Sequence, residues 1–321
     1  MRKILSIDGG GIRGIIPAIV LAHIEKRTGK RICRIFDLIA GTSTGGILAL
    51  CLTKPDAKGN PQYSADDIVK LYVNEGMNIF RKSPWKSAVP IMNMIESKYP
   101  KEGIESVLQK YFGNTMLSSS LTKVIIPSYD IERRKPFFFK SSEKEAHKKK
   151  DFMMKHVARA TSAAPTYFES AKIDLPKNED YFLLIDGGVF ANDPAMCAYA
   201  ECKKLFEKTD EFILVSIGTG KHTRKITKSE TEDWGLVQWA RPLLSVVFDG
   251  VSRAVEYQLK QLENSDQNFK RYFRFQADLE EANDDMDDAS KRNTRDLRLV
   301  AEEILDKQRD DMDVLCEMLV V

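Results

Sequence analysis

The sequence predicts a three-layer α/β/α domain with a mainly parallel central sheet, and three observations carry that prediction. Its apolar runs, at 3–8, 35–40, 123–130, 181–185 and 212–217, are largely uninterrupted and rich in β-branched residues rather than alternating. That is the pattern of strands buried on both faces. Helix-like segments separate them, near 15–26, 46–52, 65–80, 103–112 and 193–208. Several runs also end in glycine-rich turns, which puts any site at the carboxyl edge of the sheet.

The first run passes directly into Gly9-Gly10-Gly11-Ile12-Arg13-Gly14 and then the helix at 15–26. Consecutive glycine amides at the positive end of a helix suit an anion. That anion is either a dinucleotide pyrophosphate, since Gly9-x-Gly11-x-x-Gly14 fits the dinucleotide fingerprint, or the oxyanion of an ester under attack. The second run, 35–40, enters Gly41-Thr42-Ser43-Thr44-Gly45 and the helix at 46–52. Strand, tight turn and helix in that order are what a nucleophile elbow requires, with Ser43 at its tip. The run at 181–185 ends in Asp186-Gly187-Gly188, so Asp186 is either a strand-end catalytic carboxylate or a turn aspartate capping its own backbone. The run at 212–217 ends in Gly218-Thr219-Gly220. All four turns belong on one edge. A dinucleotide fold explains only the first and lacks its ribose-binding acid, because Glu25 lies inside a helix and Asp37 precedes the elbow.

Together DGGGIRG, GTSTG and DGG, in this order, resemble the patatin-like phospholipase family from the first motif to the third. The resemblance implies that Ser43 is the nucleophile and Asp186 its partner in a Ser-Asp dyad. It implies an oxyanion hole built from Gly9, Gly10, Gly11, Arg13 and Gly14. Gly41, Thr42, Thr44 and Gly45 then form the elbow, while Gly187 and Gly188 support the aspartate. The implied activity is that of a lipid acyl hydrolase of phospholipase A type, cleaving fatty-acyl esters of membrane phospholipids or other glycerolipids through an acyl-enzyme, with no cofactor and no metal. Alternatives are a cyclic-oligonucleotide-activated, membrane-degrading effector of antiviral defence, an acyltransferase using the same acyl-enzyme, and a non-catalytic membrane-binding module.

The histidines favour a dyad over a triad. His23 precedes the elbow, His147 lies in a charged stretch, and His156 reads as a packed helix residue. His222, after Gly218-Thr219-Gly220, is the one at a strand end. Without histidine the Ser43 proton goes to Asp186, whose ordinary pKa near about 4 makes it a weak base. Burial would raise that value and improve it as an acceptor. Arg13 either adds positive charge near the oxyanion and locks its loop or forms a structural salt bridge.

Composition sets the remaining bounds. The five cysteines of the 321-residue chain have irregular spacing and no C-x-x-C pair, against a disulfide framework or zinc site. No run reaches the roughly 18 to 20 apolar residues of a membrane span, and the N-terminus reads as a strand rather than a leader. The expectation is therefore a soluble, cytoplasmic protein with peripheral membrane contact, no nucleic-acid partner, and a homodimer left open. Net charge is +2, but residues 277–321 hold fifteen acidic against six basic side chains. The body is thus basic and either attracts anionic headgroups or is merely solvated. Two basic, aromatic segments, 80–95 and 133–140, are candidate lipid contacts, the second alternatively a hairpin strand. The chain divides into a catalytic domain, 1–276, and an acidic, flexible linker with one C-terminal helix at 290–318 packed on it, 277–321. A further helix is expected at 243–262.

Overall fold

A computed structural model describes residues 1–80, 98–142, 151–175, 180–206, 211–265, 269–280 and 282–320. β1 (Arg2–Ile7) leads through a 3-10 turn (Gly11–Gly14) into α1 (Ile15–Thr28), and α2 (Ile32–Ile35) returns the chain to β2 (Leu38–Gly41). Then come α3 (Thr44–Thr53), α4 (Ala65–Ile79), α5 (Lys101–Phe112), β3 (Lys123–Asp130), β4 (Lys135–Lys140), α6 (Met154–Thr161), β5 (Ala171–Asp174) and β6 (Tyr181–Asp186). The remainder is α7 (Gly188–Ala191), α8 (Ala195–Leu205), β7 (Phe212–Ile217), α9 (Lys228–Thr231), α10 (Leu236–Ser265), β8 (Phe269–Phe275), α11 (Lys291–Lys307) and α12 (Arg309–Val320). The loop segment 133–140 is a hairpin strand, β4, while most of 80–95 and all of His147's charged stretch lie outside the described residues.

The three layers follow from strand alternation. Leu5, Ile39, Val124, Ile126, Ile213 and Val215 face a core shared with α1, α3, α4 and α5. Ile4, Leu38, Ile125, Phe212 and Leu214 face the opposite side, where Ala195, Ala198 and Cys202 of α8 and Leu259 of α10 pack. With successive side chains on opposite faces and both faces covered, the strands are mainly apolar on both, with buried polar exceptions such as Ser6 and Ser216. β3, β2, β1, β7 and β8 are parallel neighbours in that order. β4, β5 and β6 add antiparallel pairings, so the sheet is mixed.

The register around β3 decides where the site forms. β2 pairs with β3 over 123–125, β4 over 125–130, and β6 over 128–130. A strand edge holds one partner at a time, so β4, which overlaps both others, occupies one edge alone. β2 and β6 therefore share the other edge, one ending where the other begins. Pro127 sits in the gap between them, where a missing N–H leaves nothing unsatisfied. Its carbonyl accepts Thr161 Oγ1 at 2.6 Å instead. Asp186 thus reaches the carboxyl edge by a route the sequence reading did not foresee: its strand runs antiparallel and meets the end of β2 head-on.

The C-terminal region departs from expectation in two ways. Residues 290–318 form two helices, broken at Gln308 (φ −111°, ψ 31°). The side chain of Gln308 accepts Gln276 N–H at 3.3 Å and donates to the Arg274 carbonyl at 3.4 Å, tying the break to the end of β8. Periodicity could not reveal this, because Ile304 and Met312 stay in phase across it. Both helices pack on α1. The acidic stretch before them buries Leu279, Ala282 and Met286, and so is a packed wall rather than a linker. The helix expected at 243–262 begins at Leu236 and carries Pro242 inside it.

Beneath the first glycine loop lies a buried ion cluster. Arg274 grips Asp8 with both nitrogens, at 2.9 and 2.6 Å, and lies 3.4 Å from Asp193. Ser6 and Ser216 hydroxyls complete Asp193. Removing the cation would strand two buried carboxylates. Arg274→Leu should cost about 3–5 kcal/mol of stability in urea unfolding, whereas Arg2→Ala, which breaks the exposed pair with Asp37, should cost under about 1 kcal/mol. Equal, small losses would mean that Asp8 and Asp193 need no counter-ion.

Candidate active site

Ser43 sits between the end of β2 and the start of α3 with φ 55° and ψ −120°, one of three non-glycine residues at positive φ among those described. Such a conformation costs about 1–3 kcal/mol and persists only where its surroundings over-determine it. Here they do. Thr42 N–H donates to Ile7 O at 3.2 Å, and Thr42 Oγ1 to Ala191 O at 2.6 Å. Ser43 N–H donates to Thr161 Oγ1 at 3.0 Å, and Gly45 N–H to Thr42 O at 2.8 Å. Thr44 is held by Tyr72, whose hydroxyl bonds both its Oγ1 and its carbonyl. A Cβ on Gly41 would collide with the Gly45 backbone, so the turn is closed too tightly for any other residue there. Every residue of α3 is buried, which fixes the helix whose positive end lies at Ser43.

Asp186 is fully buried at the end of β6. Gly188 N–H donates to its Oδ1 at 2.7 Å. Its Oδ2 has no partner of hydrogen-bond geometry among the described residues. Burial pushes its pKa up to about 7, opposed by the nearby Ser43 hydroxyl and by the Gly188 amide. No cation among the described residues offsets that rise. Gly187 passes beneath Pro127 O and Gly188 beneath Phe248, each too close for a side chain without displacement.

The glycine loop covers Ser43 from the other side. A Cβ on Gly9 would come within 3.3 Å of Ser43 Cβ and run into Asn192 Oδ1. Gly9 N–H is spent on Asn192 O at 3.0 Å, and Ile12 N–H on Met286 O at 2.9 Å. The amides of Gly10 and Gly11 have no acceptor among the described residues, so of the three loop glycines these two can serve an oxyanion and Gly9 cannot. Gly14 lies under Thr44 and Tyr72 and serves packing. Arg13 is buried, and its Nε donates to Gly10 O at 3.3 Å. Burial pulls its pKa down to about 10, leaving it cationic at neutral pH.

Of the described histidines, only His222 approaches this loop, and it meets Arg13 rather than Ser43. His23 lies on α1, and His156, expected to be packed, has an exposed position on α6. The sequence reading also passed over Thr161, Asn192 and Met286, which hold Ser43 and the loop through one side chain and two carbonyls. Thr161 has a signal only in hindsight, and the carbonyls have none. Among the described residues no group of three or more His, Cys, Asp or Glu side chains is arranged to hold a metal ion.

The cost of burying Asp186 has a measurable sign. Its folded pKa exceeds the unfolded value, so the group destabilises the folded state above pH 7, and that penalty fades as pH falls toward 4. Asp186→Asn should therefore raise Tm at pH 8 and lose that advantage near pH 4. A variant that melts lower at both pH values would show that the carboxylate is a structural anchor.

Comparison with known sequences agrees with this geometry. A profile of the patatin-like phospholipases matches residues 5–199. Patatin-like protein 2 of Oryza sativa is 33% identical over 98% of this chain and 86% of its own. Patatin-like protein 4 of Arabidopsis thaliana is 34% identical over 94% and 83%, and patatin group D-2 of Solanum tuberosum 33% over 96% and 84%. With this profile match and relatives at 33–34% identity over nearly its whole length, the chain belongs to the patatin-like phospholipase family of lipid acyl hydrolases.

Proposed function

We propose that this protein hydrolyses fatty-acyl esters of membrane glycerolipids, as a phospholipase A type serine esterase, with Ser43 and Asp186 as a dyad. One observation carries the reading: a strained serine beside a buried carboxylate that, among the described residues, has one unpartnered oxygen and no cation. Family membership alone would not suffice, since one Solanum tuberosum relative at 32% identity bears the name "Probable inactive patatin-3-Kuras 1". A carboxylate held near pH 7 is a competent base at neutral pH, where an ordinary aspartate is not.

The chemistry balances with these two residues. Asp186 takes the Ser43 hydroxyl proton as Oγ bonds the ester carbonyl carbon, and the carbonyl electrons move to oxygen. Gly10 and Gly11 amides face that oxyanion, each worth roughly 3–4 kcal/mol in comparable sites. The oxyanion collapses, the ester C–O bond breaks, and Asp186 returns the proton to the departing lysolipid alcohol. Water then repeats the sequence: its proton goes to Asp186, its oxygen to the acyl carbon, and Ser43 leaves carrying the proton.

A lipid substrate also needs a route from the bilayer, and α10 supports one. Trp239, Leu243 and Val246 are exposed on one helical face, while Leu244, Val247 and Phe248 on the other pack toward the core. Phe248, on the inner face, lies against Gly188, so the helix that carries the exposed row packs on the candidate site. Exposed Lys225, Ile226 and Lys228 precede it, a mixture suited to an anionic bilayer surface. No helix among the described residues is long and apolar enough to cross a membrane.

The first test is fluorophosphonate labelling together with fatty-acid release from phosphatidylglycerol vesicles. Ser43→Ala should abolish labelling and lower turnover by roughly 10³-fold or more. In the wild type, kcat/KM should fall below pH 7 as Asp186 protonates. Undiminished turnover in Ser43→Ala, or an acid limb near pH 4, would sink the dyad. For the docking face, Leu243→Asp should weaken vesicle sedimentation while leaving hydrolysis of a soluble ester intact; unchanged sedimentation would remove this face from consideration.

A further inference from the structure

A hydrogen-bonded chain runs from the acidic C-terminal wall to the glycine loop. Asp284 Oδ2 lies 3.2 Å from His222 Nδ1, His222 Nε2 lies 3.1 Å from Arg13 Nη1, and Arg13 Nε donates to Gly10 O. These contacts join positions separated by 62 and 209 residues in sequence. A guanidinium only donates, so His222 Nε2 must carry a lone pair, and its proton must sit on Nδ1, facing the Asp284 carboxylate. The chain is therefore complete only with a neutral imidazole of one tautomer. Burial, then the Arg13 charge, hold the His222 pKa below its ordinary value, which favours that form; Asp284 and Asp249 oppose it.

The end of the chain bears on the reaction through peptide geometry. In a trans peptide the C=O of one residue and the N–H of the next point in opposite directions. Gly10 O is held twice, by Arg13 N–H at 3.2 Å and by Arg13 Nε. Fixing that carbonyl fixes the Gly11 N–H on the far side of the same plane. Gly11 has φ +59°, and a Cβ there would run into Met286 O, so the position takes glycine, whose freedom would let this peptide rotate if the anchor were loosened.

We propose that His222 and Asp284 are positioning residues of the hydrolytic reaction. Acting through Arg13, they hold the Gly10–Gly11 peptide so that the Gly11 amide meets the oxyanion. The proposal rests on the ester-hydrolase reading of Ser43. It reassigns His222, which makes no contact with the nucleophile, and gives the acidic wall a part in transition-state stabilisation. It differs in sign from a purely electrostatic role: removing the Asp284 charge would then strengthen the positive field on the oxyanion and raise kcat, whereas loss of positioning lowers it.

The test uses the full chain with p-nitrophenyl butyrate, comparing wild type with His222→Leu, His222→Gln and Asp284→Ala, each checked by thermal melting. His222→Leu should lower kcat about 10- to 100-fold with KM nearly unchanged, as expected when a donor is misaligned only toward the transition state. Glutamine offers Arg13 an acceptor oxygen near the place of Nε2, so His222→Gln should recover much of that loss. Asp284→Ala should fall between wild type and His222→Leu. Amide hydrogen exchange over residues 9–14 supplies a readout independent of turnover: it should quicken in His222→Leu and not in His222→Gln. A rise in kcat for Asp284→Ala, or no recovery with glutamine in a folded protein, would overturn the proposal. If the wild type hydrolyses no ester, the Ser43 reading fails, and the exchange data alone decide whether the chain holds the loop; equal exchange in all variants would reject it.

Discussion

Two strands share one edge of β3, and the position of their ends fixes the rest of the site. β2 climbs that edge through Ala40 opposite Ile125, and β6 descends it to Asp186 opposite Ser128. The short gap between them holds Pro127, whose carbonyl is satisfied by Thr161 Oγ1. The same hydroxyl oxygen accepts Ser43 N–H. One threonine thus closes the sheet gap and holds the Ser43 backbone, so the serine and aspartate are brought together by sheet geometry.

Two buried carboxylates show how the fold separates support from chemistry. Burial pushes both Asp8 and Asp186 up to about 7. Asp8 has both oxygens bonded to Arg274, and its cluster anchors the strand that launches the glycine loop. Among the described residues Asp186 has one amide donor, no cation, and one oxygen without a hydrogen-bond partner. A carboxylate with both oxygens bonded organises its neighbours, whereas one with an oxygen left over keeps the capacity to accept a proton. The difference lies in partners, since burial is the same.

Charge asymmetry along the chain takes on a local meaning in the same way. The acidic stretch after β8 reads as a solvated linker because seven carboxylates crowd into 278–288. In the fold several of them have assigned partners: Asp287 holds Lys98 and Tyr99, Asp288 accepts the N–H of Ser290, the residue that caps α11, and Asp284 meets His222. Apolar residues between them reach the core. The stretch becomes the outer wall of the glycine loop, presenting Met286 O to Ile12 N–H.

By itself the sequence determined most of the elements and singled out Ser43 at the tip of a tight turn. Uninterrupted apolar runs predicted the sandwiched strands, and the order of strand, glycine-flanked serine and buried helix predicted the elbow, because both depend on near neighbours in the chain. It left open which glycine amides stayed free and what His222 does, and it gave one C-terminal helix where the structure has two. Those points rest on contacts made across long separations: Gly9 with Asn192, Ile12 with Met286, Gln308 with β8, and β6 against an edge it shares with β2. Local composition specifies which residues prefer a strand or a turn, whereas the partner left for each N–H and carboxylate is settled only when distant segments pack and exclude water.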